Sequence, residues 1–190
     1  MASRTAAKTA PVASAKKAPA KSPARRQKDA CDLLDSDHKA VKAMFKEYDA
    51  LTESRSRSRA KKRQLADQIC KELTVHATIE EEIFYPAVRQ AIKDKGLMNE
   101  ATVEHASAKD LIAQIRGMDA SDEMFDAKVT VLGEYIDHHV KEERGEMFVQ
   151  ARKTRLDLVQ LAEKLQLRKE ALMAEQETGN MPVPEVSTAL

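Results

Sequence analysis

Apolar residues recur at steps of three and four along four stretches of the chain, the spacing of one buried helical face. The first stretch, about 31–52, carries Leu34, His38, Val41, Phe45 and Tyr48. The second, about 61–93, carries Leu65, Ile69, Leu73, His76, Glu80, Phe84 and Val88. The third, about 99–116, carries Ala101, His105, Ile112 and Ile115. A fourth runs to about 153 from an expected N-cap at Ser121, whose acidic first turn is Asp122 and Glu123, and carries Phe125, Val129, Leu132, Ile136, His139, Glu143 and Met147. Gly96 and Gly117 read as helix stops, and Pro86 as a kink inside the second helix. A further amphipathic stretch, about 156–174, presents Leu158, Leu161, Leu165 and Leu172. It either packs over the other four or forms a dimer contact. The pattern predicts an all-α chain: an antiparallel up-down four-helix bundle over 31–155, an appended helix over 156–178 and a flexible tail over 179–190.

Composition agrees. With 4% aromatics, no Trp and little strand-like alternation, a β-sandwich or barrel is excluded. No apolar run reaches the ~20 residues that span a bilayer. The net charge of +1 conceals two unlike parts. Residues 1–30 hold eight Lys or Arg and one acid, Asp29, without any Leu, Ile or Phe, which predicts a disordered basic leader. The remainder carries 24 bases against 30 acids. The leader has no apolar centre for a secretory signal, although its Ala, Lys, Ser and Arg suit a transit peptide. It could contact phosphates weakly and without sequence preference, which makes nucleic acid a candidate partner; a solubilising leader is the plainer reading. SRSRSR, at 54–59, reads as a solvated connection. Cys31 and Cys70 are too few for a disulfide framework. On adjacent antiparallel helices they fall on opposite sides of the histidine level, ~20 Å apart at ~1.5 Å per residue. A reducing cytoplasm is the expected location.

The chemistry lies where polar groups interrupt the apolar faces. His76 and Glu80, and again His139 and Glu143, are four residues apart, so each imidazole lies one turn from its carboxylate. His38 and His105 occupy the faces of the first and third helices. The order is therefore H, HxxxE, H, HxxxE. It is an internal repeat, in which His105 follows His38 at nearly the interval by which His139 and Glu143 follow His76 and Glu80. Two buried carboxylates need a cation to neutralise them, because an unpaired buried carboxylate costs several kcal/mol. Imidazole and carboxylate without thiolate favour iron, with manganese or zinc less favoured. His138 leaves the apolar face, so His139 with Glu143 is the preferred pair. Glu81, Glu82, Glu142 and Glu146 are read as solvated or as supports for the ligands. No ExxH motif occurs, which sets the ferritin-type centre aside.

The segments DHKAVKAMF, HATIEEEIFYP, EHAS and HHVKEERGEMF together resemble the hemerythrin-like HHE cation-binding family over residues 32–153. The resemblance implies a four-helix bundle with a non-haem centre of two iron ions, oxo- or hydroxo-bridged. Glu80 and Glu143 would bridge; His38 and His76 would bind one iron, His105 and His139 the other. Oxygen carriers of this family have a second histidine one turn after that of the third helix, where this chain has Lys109. Their last carboxylate is Asp, one place beyond Glu143. Four histidines in place of five imply a more open centre, less suited to reversible oxygen carriage. Lys109 either reaches solvent or places a cation near the open iron position.

Tyr48 and Tyr135 lie near the apolar faces, about one to three turns from ligand positions, and are expected to pack in the core, with a role as ligand or ligand support as the lesser reading. Met44, Met98, Met118 and Met147 are expected to fill the core. The leading expectation is a protein that binds or senses a small ligand, O2, NO or peroxide, or iron itself. An enzyme turning over peroxide or NO would use the same centre, with a tyrosine or Glu142 as proton donor. The reading without metal is a nucleic-acid-associated helical protein acting through its leader.

Overall fold

In the computed structural model, residues 27–54, 58–93 and 95–178 are described. The expectations for the leader up to residue 26, the middle of SRSRSR and the segment 179–190 lie outside the described residues. Every regular element among them is helical: α1 (Ala30–Glu53), α2 (Arg59–Ile79), α3 (Tyr85–Ala91), α4 (Gly96–Gly117), α5 (Phe125–Glu142), α6 (Phe148–Ala151) and α7 (Leu158–Glu177). Five-residue π turns join α2 to α3 (Glu80–Phe84) and α5 to α6 (Glu143–Met147). Two long composite helices therefore alternate with α1 and α4. The helix α1 packs against α2 and α5, and α4 against α5 and α2, closing the four-helix bundle.

Asp29 and Ala30, which composition places in the leader, open the first helix instead. The Asp29 carboxylate accepts the Asp32 N–H at 2.9 Å, and Asp32 returns the bond to the Asp29 N–H at 3.0 Å, a reciprocal cap. Arg152, just past α6, reaches Asp29 at 3.1 Å and Asp32 at 2.9 Å, so the end of the bundle is tied to its beginning.

Two boundaries move. The third helix starts at Gly96 rather than near residue 99, because Leu97 and Met98 are buried and the Asn99 N–H bonds the Lys95 carbonyl at 3.2 Å. Gly96 is thus a beginning and not a stop. The fourth helix starts at Phe125, not at Ser121. The Ser121 hydroxyl is engaged with the Asp119 carboxylate at 2.6 Å in a turn, which leaves it unable to cap.

The appended helix is placed as well. The helix α7 lies on α1 and α2, burying Leu161, Leu165 and Leu172, and is pinned by Lys169 to Asp37 at 2.6 Å and Arg168 to Glu82 at 2.7 Å. Met98 and Met147 are buried, and Met44 and Met118 pack partly buried against the core.

Apolar residues form two clusters with a polar layer between them. One contains Leu34, Val75, Ile79, Phe84, Met147, Phe148 and the α7 leucines; the other contains Val41, Ile69, Leu73, Ile112, Phe125, Val129 and Leu132. On each bundle helix the step from one cluster to the other passes through a histidine: Leu34–His38–Val41, Leu73–His76–Ile79, Ala101–His105–Ala108 and Leu132–His139–Met147. Cys31 and Cys70 are free thiols, one in each cluster. Burial pushes them up to about 12 and about 11, so neither is a nucleophile or a thiolate ligand at neutral pH.

Candidate metal centre

The structure brings His38, His76, Glu80, His105, His139 and Glu143 into that polar layer, each buried. Their donor atoms form two groups that share Glu80. His38, His76, Glu80 and Glu143 offer atoms within 4.8 Å of one another, and so do Glu80, His105 and His139. Glu80 Oε1 lies 3.1 Å from His76 Nε2, while Oε2 lies 3.5 Å from His105 Nε2. One carboxylate thus faces both groups. Glu143 Oε2 lies 3.2 Å from His38 Nε2.

Three of the four rings have a carboxylate behind them. Glu104 takes His139 Nδ1 at 2.7 Å, Glu81 takes His105 Nδ1 at 2.9 Å, and Asp37 faces His76 Nδ1 at 3.5 Å. A carboxylate only accepts, so in His105 and His139, where the contact is a hydrogen bond, Nδ1 carries the ring proton and Nε2 is left with a lone pair aimed inward. The repeat organises these supports too. Asp37 and Glu104 each stand immediately before a layer histidine, and they face the repeat-related rings of His76 and His139.

Both π turns begin at a layer glutamate. The Tyr85 N–H bonds the Glu80 carbonyl, and the Phe148 N–H bonds the Glu143 carbonyl, five residues back in each case. In an α-helix position i+5 lies ~140° round from i; a π turn holds more residues and swings that position back toward the face of i. Tyr85 and Phe148, separated by the same interval as His76 and His139, both reach the layer by this route. Phe148 stacks on the His38 ring with centroids 6.0 Å apart. Tyr85 places its hydroxyl 3.1 Å from His105 Nε2, 3.4 Å from His139 Nε2 and 3.5 Å from Glu80 Oε2. The two halves therefore differ by one phenolic oxygen.

Tyr48 packs in the core as expected, but the tyrosine at the layer is Tyr85. The Tyr48 hydroxyl donates to Asp126 at 2.7 Å, away from the layer, and Tyr135 is half exposed. Tyr85 lies off the α-helical stripe and is invisible to the α-helical period; the internal repeat, which pairs it with Phe148, was the available signal. Pro86 follows a π turn rather than a simple kink, and the second π turn forms without a proline. Lys109 does not extend free: its Nζ pairs with Glu81 at 2.5 Å and so buttresses His105, and the residue also lines the small chamber beside the four histidines. Of the surplus acids, Glu81 supports a ring, Glu82 binds α7, Glu142 pairs with the exposed His138 at 3.3 Å, and Glu146 is exposed.

The electrostatics of this layer call for positive charge. His38 and His76 Nε2 face each other at 2.9 Å, and His105 and His139 Nε2 at 3.3 Å. With the ring protons at Nδ1 of His105 and His139, two lone pairs oppose across that gap. Two ligand atoms ~2.1 Å from one metal ion and at right angles are ~3 Å apart, which is the separation seen. Glu143 Oε1 and Oε2 and Glu80 Oε1 are buried without a hydrogen-bond donor. Burial, then the Glu80 charge, drives the Glu143 carboxyl upward. Burial opposes ionisation of Glu80 too, but the neighbouring His76 overrides it and holds Glu80 well below the usual carboxylate range. His76 itself, despite burial, is pushed up to about 10 by Glu80 and Asp37. Lacking cations, the layer would have to take up protons. The donor set fits two ions.

Beside the donors is a small chamber, about 30 Å³, lined by the four histidines with Val41, Leu73, Ala108, Ile112 and Ile136 among its walls. It has room for about one water-sized molecule. Wider clefts of about 370 Å³ and 350 Å³ reach His38 from one side and His105 with His139 from the other. Ile136 lines all three spaces.

Comparison with known proteins agrees with this geometry. A solved hemerythrin HHE cation binding domain-containing protein from Mycobacterium kansasii superposes with a TM-score of 0.65 at 22% identity, over 80% of this chain and 94% of that one. A protein named DNA nickase from Nostoc sp. is 31% identical over 121 residues, 64% of this chain. This chain spans about a third, 33%, of that relative's length. The family profile of the hemerythrin HHE cation binding domain matches residues 29–151, the bundle and its polar layer, and the chain belongs to that family.

Proposed function

We propose that this protein is a non-haem di-iron protein that binds a small ligand, O2, NO or peroxide, at the buried layer. His38, His76, Glu80 and Glu143 would hold one iron; His105, His139 and the second oxygen of Glu80 the other, with the Tyr85 oxygen beside it. The carrying observation is the convergence of buried donors into two groups, with Glu80 facing both and inward lone pairs opposed across His105 and His139. Iron, when bound, supplies the electrons and open coordination positions that a diatomic or peroxide requires.

The chain's own residues supply the rest. The chamber, walled mainly by apolar side chains, leaves room beside the donors for only a very small ligand. Tyr85 holds a proton at its hydroxyl: burial, then the charges of Glu143 and Glu80, keep the phenol far above its usual range. That proton is within hydrogen-bond reach of His105 Nε2, on the side of the second donor group. Its position supports a second reading, the enzyme that turns over peroxide or NO, because turnover needs a proton at the reacting ligand. The DNA chemistry in the name of the Nostoc relative belongs to a protein about twice as long, of which the match covers 33%, and the buried layer gives it no support here. The cytoplasm is the proposed location; among the described residues, no helix is long and apolar enough to cross a membrane.

Anaerobic reconstitution with Fe2+, followed by optical titration with O2, NO and peroxide, tests the proposal. Two irons per chain are expected, with a ligand-dependent absorption band lost in both His76→Ala and His139→Ala. Sub-stoichiometric iron in a folded chain, or a band that survives both substitutions, would sink it. Sustained peroxide or NO consumption that falls in Tyr85→Phe would select the enzyme.

A further inference from the structure

Acidic side chains crowd the buried centre, and most are matched to basic ones. Glu81 meets Lys109, Glu82 meets Arg168, Asp37 meets Lys169, and Asp35 meets Lys39 and Arg144. Glu104 and Glu142 differ: among the described residues their side-chain partners are histidines. His138 Nε2 lies 3.3 Å from Glu142 Oε1 and 3.7 Å from Glu104 Oε1, and one donor atom from each of the three falls within 4.8 Å of the others.

This outer trio is the buried set displaced by one residue. Glu104, His138 and Glu142 immediately precede His105, His139 and Glu143, so α4 and α5 carry two tiers of donors, one facing the layer and one facing solvent. The repeat-related positions on the other side are Asp37, Val75 and Ile79. There α7 covers the bundle, Lys169 occupies Asp37, and Val75 and Ile79 are fully buried. Only the α4–α5 face keeps a donor trio open to water among the described residues.

The two tiers border one space. A crevice of about 10 Å³, no larger than one water molecule, is lined by Leu97, Ala101, Glu104, His139, Glu142, Glu143 and Met147, outer and inner acids alike. Glu143, on its wall, is 2% exposed and has carboxylate oxygens without a hydrogen-bond donor. Glu104 belongs to both tiers, since Oε2 holds His139 Nδ1 at 2.7 Å while Oε1 faces His138. Negative charge thus continues inward, past apolar Leu97, Ala101 and Met147, to an unsatisfied carboxylate.

We propose that Glu104, His138 and Glu142 form a third cation site, at the surface, which captures a divalent first-row metal ion and passes it to the buried centre. One imidazole and two carboxylates, completed by water, bind such an ion without the grip of the inner set, as a transit site requires. The delivery half rests on the buried centre holding ions as proposed above; the surface site does not.

The test uses the full metal-free chain and Mn2+, with free ion counted by electron paramagnetic resonance. The wild type is expected to bind two ions tightly and a third weakly. The variant His138→Ala/Glu142→Gln leaves Glu104 to hold His139, and His138 is 67% exposed, so the fold is retained. It should lose the weak ion, keep the two tight ones and fill them several-fold more slowly. A wild type with no ion beyond the buried pair, a weak ion that persists in the variant, or filling at the wild-type rate overturns the proposal. A single weak ion in the wild type, absent from the variant, with no tight ions in either, upholds the surface site while refuting the buried centre and delivery to it.

Discussion

Replacing Glu143 by Gln should stabilise the metal-free protein and weaken its stabilisation by metal. The sign follows from the direction of its titration. A carboxyl raised above its unfolded value by burial and by Glu80 contributes stability that is complete below the unfolded value, ~4.3 for Glu, and lost as pH rises through the raised one. At pH 7 the charged form therefore burdens the fold, and Gln removes the charge at nearly constant shape. Donor oxygens of Glu80 and Glu143 lie within 4.8 Å. At an effective dielectric of ~20, like charges at that separation repel by about 3.5 kcal/mol. Attraction to His38 Nε2 at 3.2 Å offsets part of this, leaving roughly 1–2 kcal/mol, or roughly 2–8 °C in a chain of this size. Glu80→Gln should act oppositely, because Glu80 is held low by His76 and its charge is favoured in the fold. In the wild type, free metal at 100 times Kd adds about 2.7 kcal/mol per ion. Thermal unfolding by circular dichroism at pH 7, with chelator and then with Fe2+ under nitrogen, reads all three proteins. Equal lowering of the metal-free Tm by both substitutions, or a wild-type metal shift in Glu143→Gln, would refute the reasoning.

Leu165→Ala, at a fully buried position of α7, should cost about 2–5 kcal/mol in urea unfolding, because the appended helix is part of the core; a loss below ~1 kcal/mol would show α7 to be peripheral. Glu81→Gln removes the charged partner of both His105 Nδ1 and Lys109 and should weaken metal binding about 10–100-fold in a competition assay, with unaltered helicity. Gly133→Ala places a Cβ 3.1 Å from the Phe45 ring, which borders the open cleft beside His38 and can yield; the helix-propensity gain of roughly 0.8–1 kcal/mol should outweigh the crowding and raise Tm slightly. A fall in Tm would mean that Phe45 is fixed.

Periodicity and residue chemistry alone determined much of this protein. Steps of three and four specify amphipathic helices whatever they pack against, and polar groups on those faces had to meet in the core; His38, His76, Glu80, His105, His139 and Glu143 were legible for that reason. The repeat that relates His38 to His105 and His76 to His139 was equally plain. What tertiary structure alone decided departs from a regular helix or depends on a distant neighbour. The π turn beginning at Glu80 changes the angular period, so Tyr85 enters the centre from a position the α-helical stripe places elsewhere. Lys109 pairs with Glu81 and α7 settles on α1 and α2 because their charges and leucines find partners far along the chain. Local sequence decides which face a side chain occupies; which groups meet it there is set by how the helices close around one another.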